Sequence, residues 1–295
     1  MYPKRKKYTA LSRTTTEMDR NLLYDDLKAY GRFTGLFWIM SPEPTPPALP
    51  IKTIENIIFS EEFLNIQGND EQIAYLINNT KLTRDQIVEV SNLTVRQRDN
   101  PAWHMIRKGR LTASNFGSVL KAKRVTPSLL KRLLGEYDLS KVKAVTWGVH
   151  NEAEAVKAFE KYTGLKVEET GIWLDSSGVL GASPDGFVGR NGVFEAKCPY
   201  TQRNSTISEA IESGNFYLSK QADGTVMLNK DHVYWHQVQG QMFLTGRMVC
   251  YFMVWTSKDF VALTIKRDES WSDNIELMKE FYCTKLFPKI IEGEL

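Results

Sequence analysis

"GASPDGFVGRNGVFEAKCPY", residues 181–200, sets two apolar runs on either side of Gly189-Arg190-Asn191-Gly192. Short apolar runs flanking a Gly/Asn turn read as a β-hairpin. If Gly192 supplies the left-handed position of a three-residue turn, pairing runs Gly189 with Val193, Phe187 with Glu195 and Asp185 with Lys197. Side chains alternate faces along a strand, so Glu195 and Lys197 point the same way with Asp185 opposite Lys197. Phe194, Ala196 and Cys198 then turn to the other face, toward a core.

Two carboxylates held close repel, and each is pushed toward its protonated form unless a cation sits between them. A hard divalent ion meets that need, and oxygen donors select Mg2+ or Mn2+ over zinc. Such an ion polarises a phosphoryl oxygen and lowers the pKa of water from its bulk value of about 15.7. Lys197 beside it is placed to orient that water, assist its deprotonation or stabilise developing charge. The competing reading, a surface hairpin with a cross-strand ion pair, contributes about 1 kcal/mol at most and leaves the apolar reverse face unexplained.

Neighbouring segments add groups of the same kind. In the helix expected over 148–163, Glu152 shares the apolar stripe with Val149, Val156 and Phe159 and is expected to face inward, where a carboxylate needs a partner. Read alone, it is half of a buried ion pair; beside the hairpin, it is a third acid. Tyr234, Gln237 and Gln241 share one face of "YWHQVQGQM", where glutamine suits either a water or phosphate oxygen or an interhelical hydrogen bond. "RKGRLTASNF" places Arg107 before a turn at Gly109 and Ser114 in the first turn of a helix capped at Thr112, an anion-binding arrangement.

The chain has 295 residues, 42% hydrophobic and 11% aromatic, enough to bury a sizeable core. Its net charge of +3 is unevenly spread: residues 103–143 hold ten Lys or Arg against Glu136 and Asp138, a local +8 that leaves −5 elsewhere. A basic stretch of this kind is either a solvated face or the footprint of a polyanion. Cys198, Cys250 and Cys283 show no metal or disulfide spacing and read as free thiols. His232 and His236 are an i, i+4 pair without a third ligand nearby, read as hydrogen-bonding rather than metal-binding. No apolar run approaches the roughly 18 residues of a membrane span, so no membrane partner is expected. The expected location is intracellular, in nucleus or cytoplasm, with the tail "MYPKRKK" as a candidate nuclear-import or nucleic-acid patch.

Residues 1–95 are expected to form a helical N-terminal region, with helices over 17–40 and within 51–95 separated by the stiff connector "SPEPTPPALP" at 41–50. From residue 96 the pattern reads helix, helix, long helix ending at Gly164, strands in "LKVEETGIWLD", "VLGASPDGFV" and "GVFEAKCP", a helix at "DHVYWHQVQGQMFLTG", a hydrophobic hairpin and a final helix. "MVCYFMVWT" is apolar on both faces and therefore central in its sheet. Residues 96–295 thus predict an α/β domain with a mixed central sheet flanked by helices.

Taken in order, "WHMIRKGRLTAS", "WGVHNEAEAVKAFEKYTG", "SPDG", "FEAKCP" and "YWHQVQGQM" closely resemble the YqaJ-type viral recombinase family of lambda-exonuclease-like enzymes, part of the PD-(D/E)xK nucleases. The likeness spans about residues 96–270. It implies a restriction-endonuclease-like core for the nuclease domain 96–295. It implies that Asp185, Glu195 and the Ala196 carbonyl bind metal, that Lys197 is the catalytic lysine, and that Glu152 stands near a second metal site. Gln237 and Tyr234 accompany them, and two Mg2+ ions, or Mn2+ in their place, are the implied cofactors. Arg107 and Ser114, with Arg110 beside them, are implied to receive a terminal 5′ phosphate on DNA. The activity implied is digestion of duplex DNA from its 5′ end in recombination or end processing. The partners implied are double-stranded DNA ends and a single-strand annealing protein, with a homo-oligomer left open. The N-terminal 95 residues have no counterpart in the compact phage form, so the ring-shaped oligomer is not carried over. Two other readings stay open: an endonuclease on structured or single-stranded DNA or RNA, and a non-catalytic scaffold at DNA ends.

Overall fold

Threonine and serine side chains start many of the helices. In the computed structural model, Thr53, Thr83 and Thr206 each close a reciprocal capping box with the residue three positions on. Such caps satisfy backbone donors that the first helical turn leaves open. The structure describes residues 14–30, 35–36, 48–135 and 141–293. They separate into two units, Met1–Pro47 and Ala48–Leu295. In the first, helix α1 (Glu17–Ala29) carries a capping box between Thr16 and Asp19. Most of the expected connector 41–50 lies outside the described residues.

The second unit begins with α2 (Ile54–Ile58), α3 (Glu61–Leu64), α4 (Asn69–Thr80) and α5 (Arg84–Leu93). The boundary expected at residue 95 is therefore displaced. Ile54, Ile57, Phe63 and Leu76 share one core with Leu111, Phe116, Met278, Tyr282 and Phe287, residues from both ends of the unit. Fully burying such side chains stabilises by about 1.5–3 kcal/mol each. These helices are thus part of the domain and not an appendage to it.

The order continues with α6 (Pro101–Arg107), β1 (Leu111–Thr112), α7 (Ala113–Leu120), α8 (Pro127–Leu134) and α9 (Lys143–Thr163). Then come β2 (Trp173–Leu174), β3 (Leu180–Ala182), β4 (Gly186–Val188) and β5 (Gly192–Lys197). The run "VLGASPDGFV", expected as one strand, is two: Leu180–Ala182 pairs with β1 and β2, and Gly186–Val188 pairs with β5. The break falls at Ser183-Pro184-Asp185, where proline has no N–H to give a ladder. The remaining elements are α10 (Ile207–Glu212), β6 (Leu218–Lys220), β7 (Val226–Leu228), α11 (Val233–Thr245), β8 (Val249–Trp255), β9 (Phe260–Lys266), α12 (Asp273–Phe281) and α13 (Phe287–Ile291).

The larger sheet has order β4-β5-β8-β9. Strands β5 and β8 run parallel and the other pairs antiparallel, so the sheet is mixed, with the doubly apolar β8 inside as expected. Helix α9 covers one face, packing Ala155 and Phe159 on Phe194 and Met253. Helix α11 covers the other, packing Val238 and Met242 on Val193, Phe252 and Val254. Helices α7 and α11 touch so closely that a Cβ on Gly117 would lie 2.5 Å from the Cα of Val233, and one on Gly240 2.4 Å from the Phe116 ring. Among the described residues no helix is long and apolar enough to cross a membrane.

The hairpin register differs from the expected one. Gly186 pairs with Phe194, Phe187 with Val193 and Val188 with Gly192. The turn is Gly189-Arg190-Asn191, and Gly189, not Gly192, takes the left-handed conformation, at φ 56°. Gly192 serves a different need, because a Cβ there would lie 2.7 Å from the Tyr251 ring. A slip of two positions preserves which face each side chain occupies, so the chemistry survives the error.

Candidate active site

Strand β5 delivers Glu195 into the layer between sheet and α11, where it is 2% exposed. A carboxylate taken from water in this way must be hydrogen-bonded. Gln237 donates to Oε1 at 2.6 Å, Gln241 donates to Oε2 at 2.7 Å, and Lys197 Nζ lies 2.5 Å from Oε1. The two glutamines, four residues apart on α11, thus fix Glu195 rather than facing a ligand directly. Lys197 is held from below by the ring of Tyr234, 4.6 Å from Nζ to the centroid. Burial works to lower the Lys197 pKa, but Glu195, with Tyr234 and Asp185 beyond it, outweighs this and holds the ammonium above its ordinary range.

Asp185 sits where β3 and β4 break, and its Oδ2 accepts the Ala196 N–H at 2.8 Å. Its carboxyl is pushed well above the usual range by burial first, then by the charges of Glu195 and Glu152; Lys197 and the Ala196 N–H oppose this. Asp185, Ala196, Lys197 and Cys198 line one cleft of about 250 Å³ together with Glu152, Gly148, Tyr217 and Tyr234. Glu152 therefore faces the hairpin from α9, although its neighbour on the expected stripe, Val149, is 42% exposed. Its carboxylate is engaged by Arg98 at 2.7 Å. Among the described residues no three His, Cys, Asp or Glu side chains are drawn together as a finished metal cage.

The segment before α6 organises this cleft, and sequence reasoning missed it. Arg96 and Gln97 both take positive φ, 70° and 45°, without being glycine. Strain of that kind persists where surrounding contacts demand it. Gln97 donates to the carbonyls of Pro184 at 2.7 Å and Thr170 at 3.0 Å, Arg98 holds Glu152, and Trp103 Nε1 donates to Ser183 Oγ at 2.9 Å. Gln97, Arg98 and Trp103 thus position the Ser-Pro-Asp corner and the acid across from it. Nothing in "RQRDN" marks this locally. Tyr217, from the loop before β6, also went unnoticed because no motif contains it.

Arg107 lies over the Trp103 ring at 4.6 Å, and burial lowers its pKa. Through Trp103 and Ser183 it is two contacts from the corner that carries Asp185. Ser114 is exposed in the first turn of α7, and its hydroxyl pairs with Thr112 Oγ at 3.2 Å. Thr112 occupies the N-cap position but makes no capping hydrogen bond with its side chain. Arg110 does not join them. It is 3% exposed and donates to the carbonyls of Gly178, Ile106 and Lys52, so its guanidinium is spent inside the fold and is not available to a phosphate. Burial pushes its pKa down to about 10, against the influence of Tyr282 and Asp175. Of the other bases in the stretch 103–143, Lys121, Lys123, Arg124, Arg132, Lys141 and Lys143 are exposed. His232 caps α11 through Nδ1 and His236 accepts from Trp271 Nε1 at 3.0 Å, so the pair does not converge. The three cysteines are free thiols.

Among the described residues, three buried polar atoms lack a hydrogen-bond partner: Trp147 Nε1, Tyr217 Oη and Gln241 Oε1. Tyr217 lines the cleft, Gln241 holds Glu195, and Trp147 precedes the lining residue Gly148. Of the three, only Tyr217 lines the cleft itself.

Comparison with known proteins agrees with the motif order. Residues 102–248 match the YqaJ-like viral recombinase domain. The alkaline nuclease of Autographa californica nuclear polyhedrosis virus is 25% identical over 246 residues, covering 75% of this chain and 58% of that protein. That of Orgyia pseudotsugata multicapsid polyhedrosis virus is 24% identical, covering 64% and 48%. The chain thus spans about half the length of the curated relatives it matches. Among solved structures, an alkaline exonuclease from Laribacter hongkongensis is 28% identical over 63% of this chain and 92% of its own, with a TM-score of 0.48. The hairpin, the helix acid and the glutamine helix fall inside the matched span, and through this YqaJ-like viral recombinase domain the chain belongs to that family.

Proposed function

We propose that the chain is a metal-dependent deoxyribonuclease that hydrolyses phosphodiester bonds of linear duplex DNA from the 5′ end. The observation that carries this reading is the convergence of Asp185, Ala196 and Lys197 in one cleft with Glu152 opposite, above a Glu195 clamped by two glutamines. The relatives named alkaline nuclease and alkaline exonuclease support it.

The donor set suits Mg2+ or Mn2+. Carboxylates of Asp185, Glu195 and Glu152 and the carbonyl of Ala196 are hard oxygen donors, and the raised Asp185 carboxyl reflects its burial first and then the negative charges of Glu195 and Glu152. Cys198 is the one thiol lining the cleft, and burial, with Glu152 and Asp185 nearby, pushes it up to about 12, so it stays protonated in the metal-free protein. Two ions is the number the resemblance implies, and bound there they supply Lewis-acid activation of a phosphoryl oxygen and of the attacking water.

The chain's own residues do the rest. Gln237, Gln241 and Lys197 fix the Glu195 carboxylate before substrate arrives, so little reorganisation is left for the reaction. Lys197, braced on Tyr234, holds a positive charge toward a phosphate entering the cleft. Arg107 and Ser114 receive the terminal 5′ phosphate, and the exposed bases from Lys121 to Lys143 hold the backbone without reading sequence. Incubation with Mg2+ and an equimolar mixture of linear and covalently closed circular duplex tests the reading. Loss of the linear form alone, abolished in Lys197→Ala, is the expected outcome. Cutting of the circle assigns the site to an endonuclease instead.

A further inference from the structure

Beyond the cleft, a second surface combines aromatic rings with cations. Strand β8 ends in Trp255, one position past Val254, the ladder partner of Lys197. A groove of about 560 Å³ opens there between the C-terminal half of α9 and the β8–β9 turn, lined by Trp255, Phe260, Tyr162, Lys161 and Lys258. Tyr162 is 69% exposed, and its ring stands edge-on to Phe260 at 5.6 Å. An exposed tyrosine braced by a second ring, with two exposed lysines beside it, sets an aromatic ring and positive charge side by side on the surface.

This groove is joined to the cleft. Pro199 lines the cleft, and the next residue, Tyr200, carries the Arg203 guanidinium at 4.1 Å over its ring. The Arg203 carbonyl accepts from Ser257 N at 2.9 Å and Ser257 Oγ at 2.8 Å, which ties this cation–ring pair to the rim of the groove. Along α9, the ten helical steps from Glu152 to Tyr162 span about 15 Å. The one acid lining the groove, Asp259, accepts the backbone N–H groups of Phe260 and Ile207.

We infer that the surface from Tyr200 and Arg203 to Phe260 and Tyr162 is a binding track for single-stranded nucleic acid. Rings accept bases by stacking regardless of sequence, while Arg203, Lys161 and Lys258 meet the phosphates. A duplex, with its bases already stacked, gains only the charge contacts. The track rests on the nuclease reading for the origin of its strand, the one left unpaired as its complement is removed, but its binding is measurable without turnover.

Fluorescence anisotropy of a labelled oligothymidylate and of a blunt duplex, with full-length protein in EDTA, separates the two. Tyr162→Ala is expected to weaken single-strand binding about tenfold, near the free energy of one base–ring stack, and duplex binding less than about twofold. Tyr162→Phe, which keeps the ring, is expected to bind like wild type, and Lys258→Glu to weaken both ligands. Equal single-strand affinity in Tyr162→Ala and wild type, an equal loss on both ligands, or displacement of the oligonucleotide by polyglutamate as readily as by unlabelled oligonucleotide overturns the inference. Cleavage of linear DNA by the wild type stands or falls separately, because EDTA removes it from this assay.

Discussion

Lys197→Met isolates the most heavily loaded interaction in the cleft. The substitution keeps the length and much of the volume of the stem but removes the charge from a pair whose side chains are 19% and 2% exposed. Removing one partner of a buried pair costs about 3–5 kcal/mol, because the other charge is left uncompensated. Here Gln237 and Gln241 continue to donate to Glu195 at 2.6 and 2.7 Å, which places the cost at the lower end, about 3 kcal/mol. For a domain of this size that lowers the melting temperature by about 6–12 °C. The assay is thermal and urea unfolding in EDTA, with the double variant Glu195→Gln/Lys197→Met alongside. The double variant, with no charge left to strand, should recover most of the loss. A single variant that melts within about 1 °C of wild type, or a double variant no better than the single, refutes the claim that Glu195 is a buried charge dependent on Lys197.

Other consequences follow from the same geometry. Asp185→Asn should raise the melting temperature of the metal-free protein while abolishing cleavage, since it removes a charge that Glu195 and Glu152 oppose. Because the Asp185 carboxyl lies above its ordinary value of 3.8 only when folded, its contribution is fully present below that value and is lost as pH rises through the raised one. Wild-type protein in EDTA should therefore lose stability across that window relative to Asp185→Asn, and added Mg2+ should restore it; parallel pH curves contradict the assignment. Arg110→Lys should destabilise by leaving carbonyls of Gly178, Ile106 or Lys52 without a donor, about 1–3 kcal/mol each, yet leave the salt dependence of DNA binding unchanged. A reduced salt slope would return Arg110 to the phosphate contacts. Arg107→Ala should slow digestion of 5′-phosphorylated ends far more than of 5′-hydroxyl ends, and an equal loss on both removes the pocket.

The faces of the hairpin were legible because alternation is a local property, and even a wrong choice of turn glycine left Glu195 and Lys197 on their side. The register itself was not, since Gly189 and Gly192 both flank Arg190-Asn191 and only contact with Tyr251 shows why the second must lack a side chain. A helix end with strong local chemistry, the left-handed Gly164, was also readable. The domain boundary was not, because Ile54 and Phe63 find their partners in Tyr282 and Phe287, more than two hundred residues downstream. Arg110 looked like the other bases of its stretch, and nothing within "RKGRL" announces three backbone acceptors. Glu152 could be placed toward the site by helical period, while its partner Arg98 could not, because that pairing depends on a single 3-10 turn, Gln97–Asp99, entered through two consecutive residues of positive φ, Arg96 and Gln97.

The central claim is tested most directly by time-resolved digestion of linear duplex DNA carrying separate labels at its 5′ and 3′ ends, with and without Mg2+. The account predicts release of the 5′ label first, as short product, in Mg2+ only, with no release by Lys197→Ala. First release of the 3′ label, or undiminished cleavage in EDTA, would contradict it.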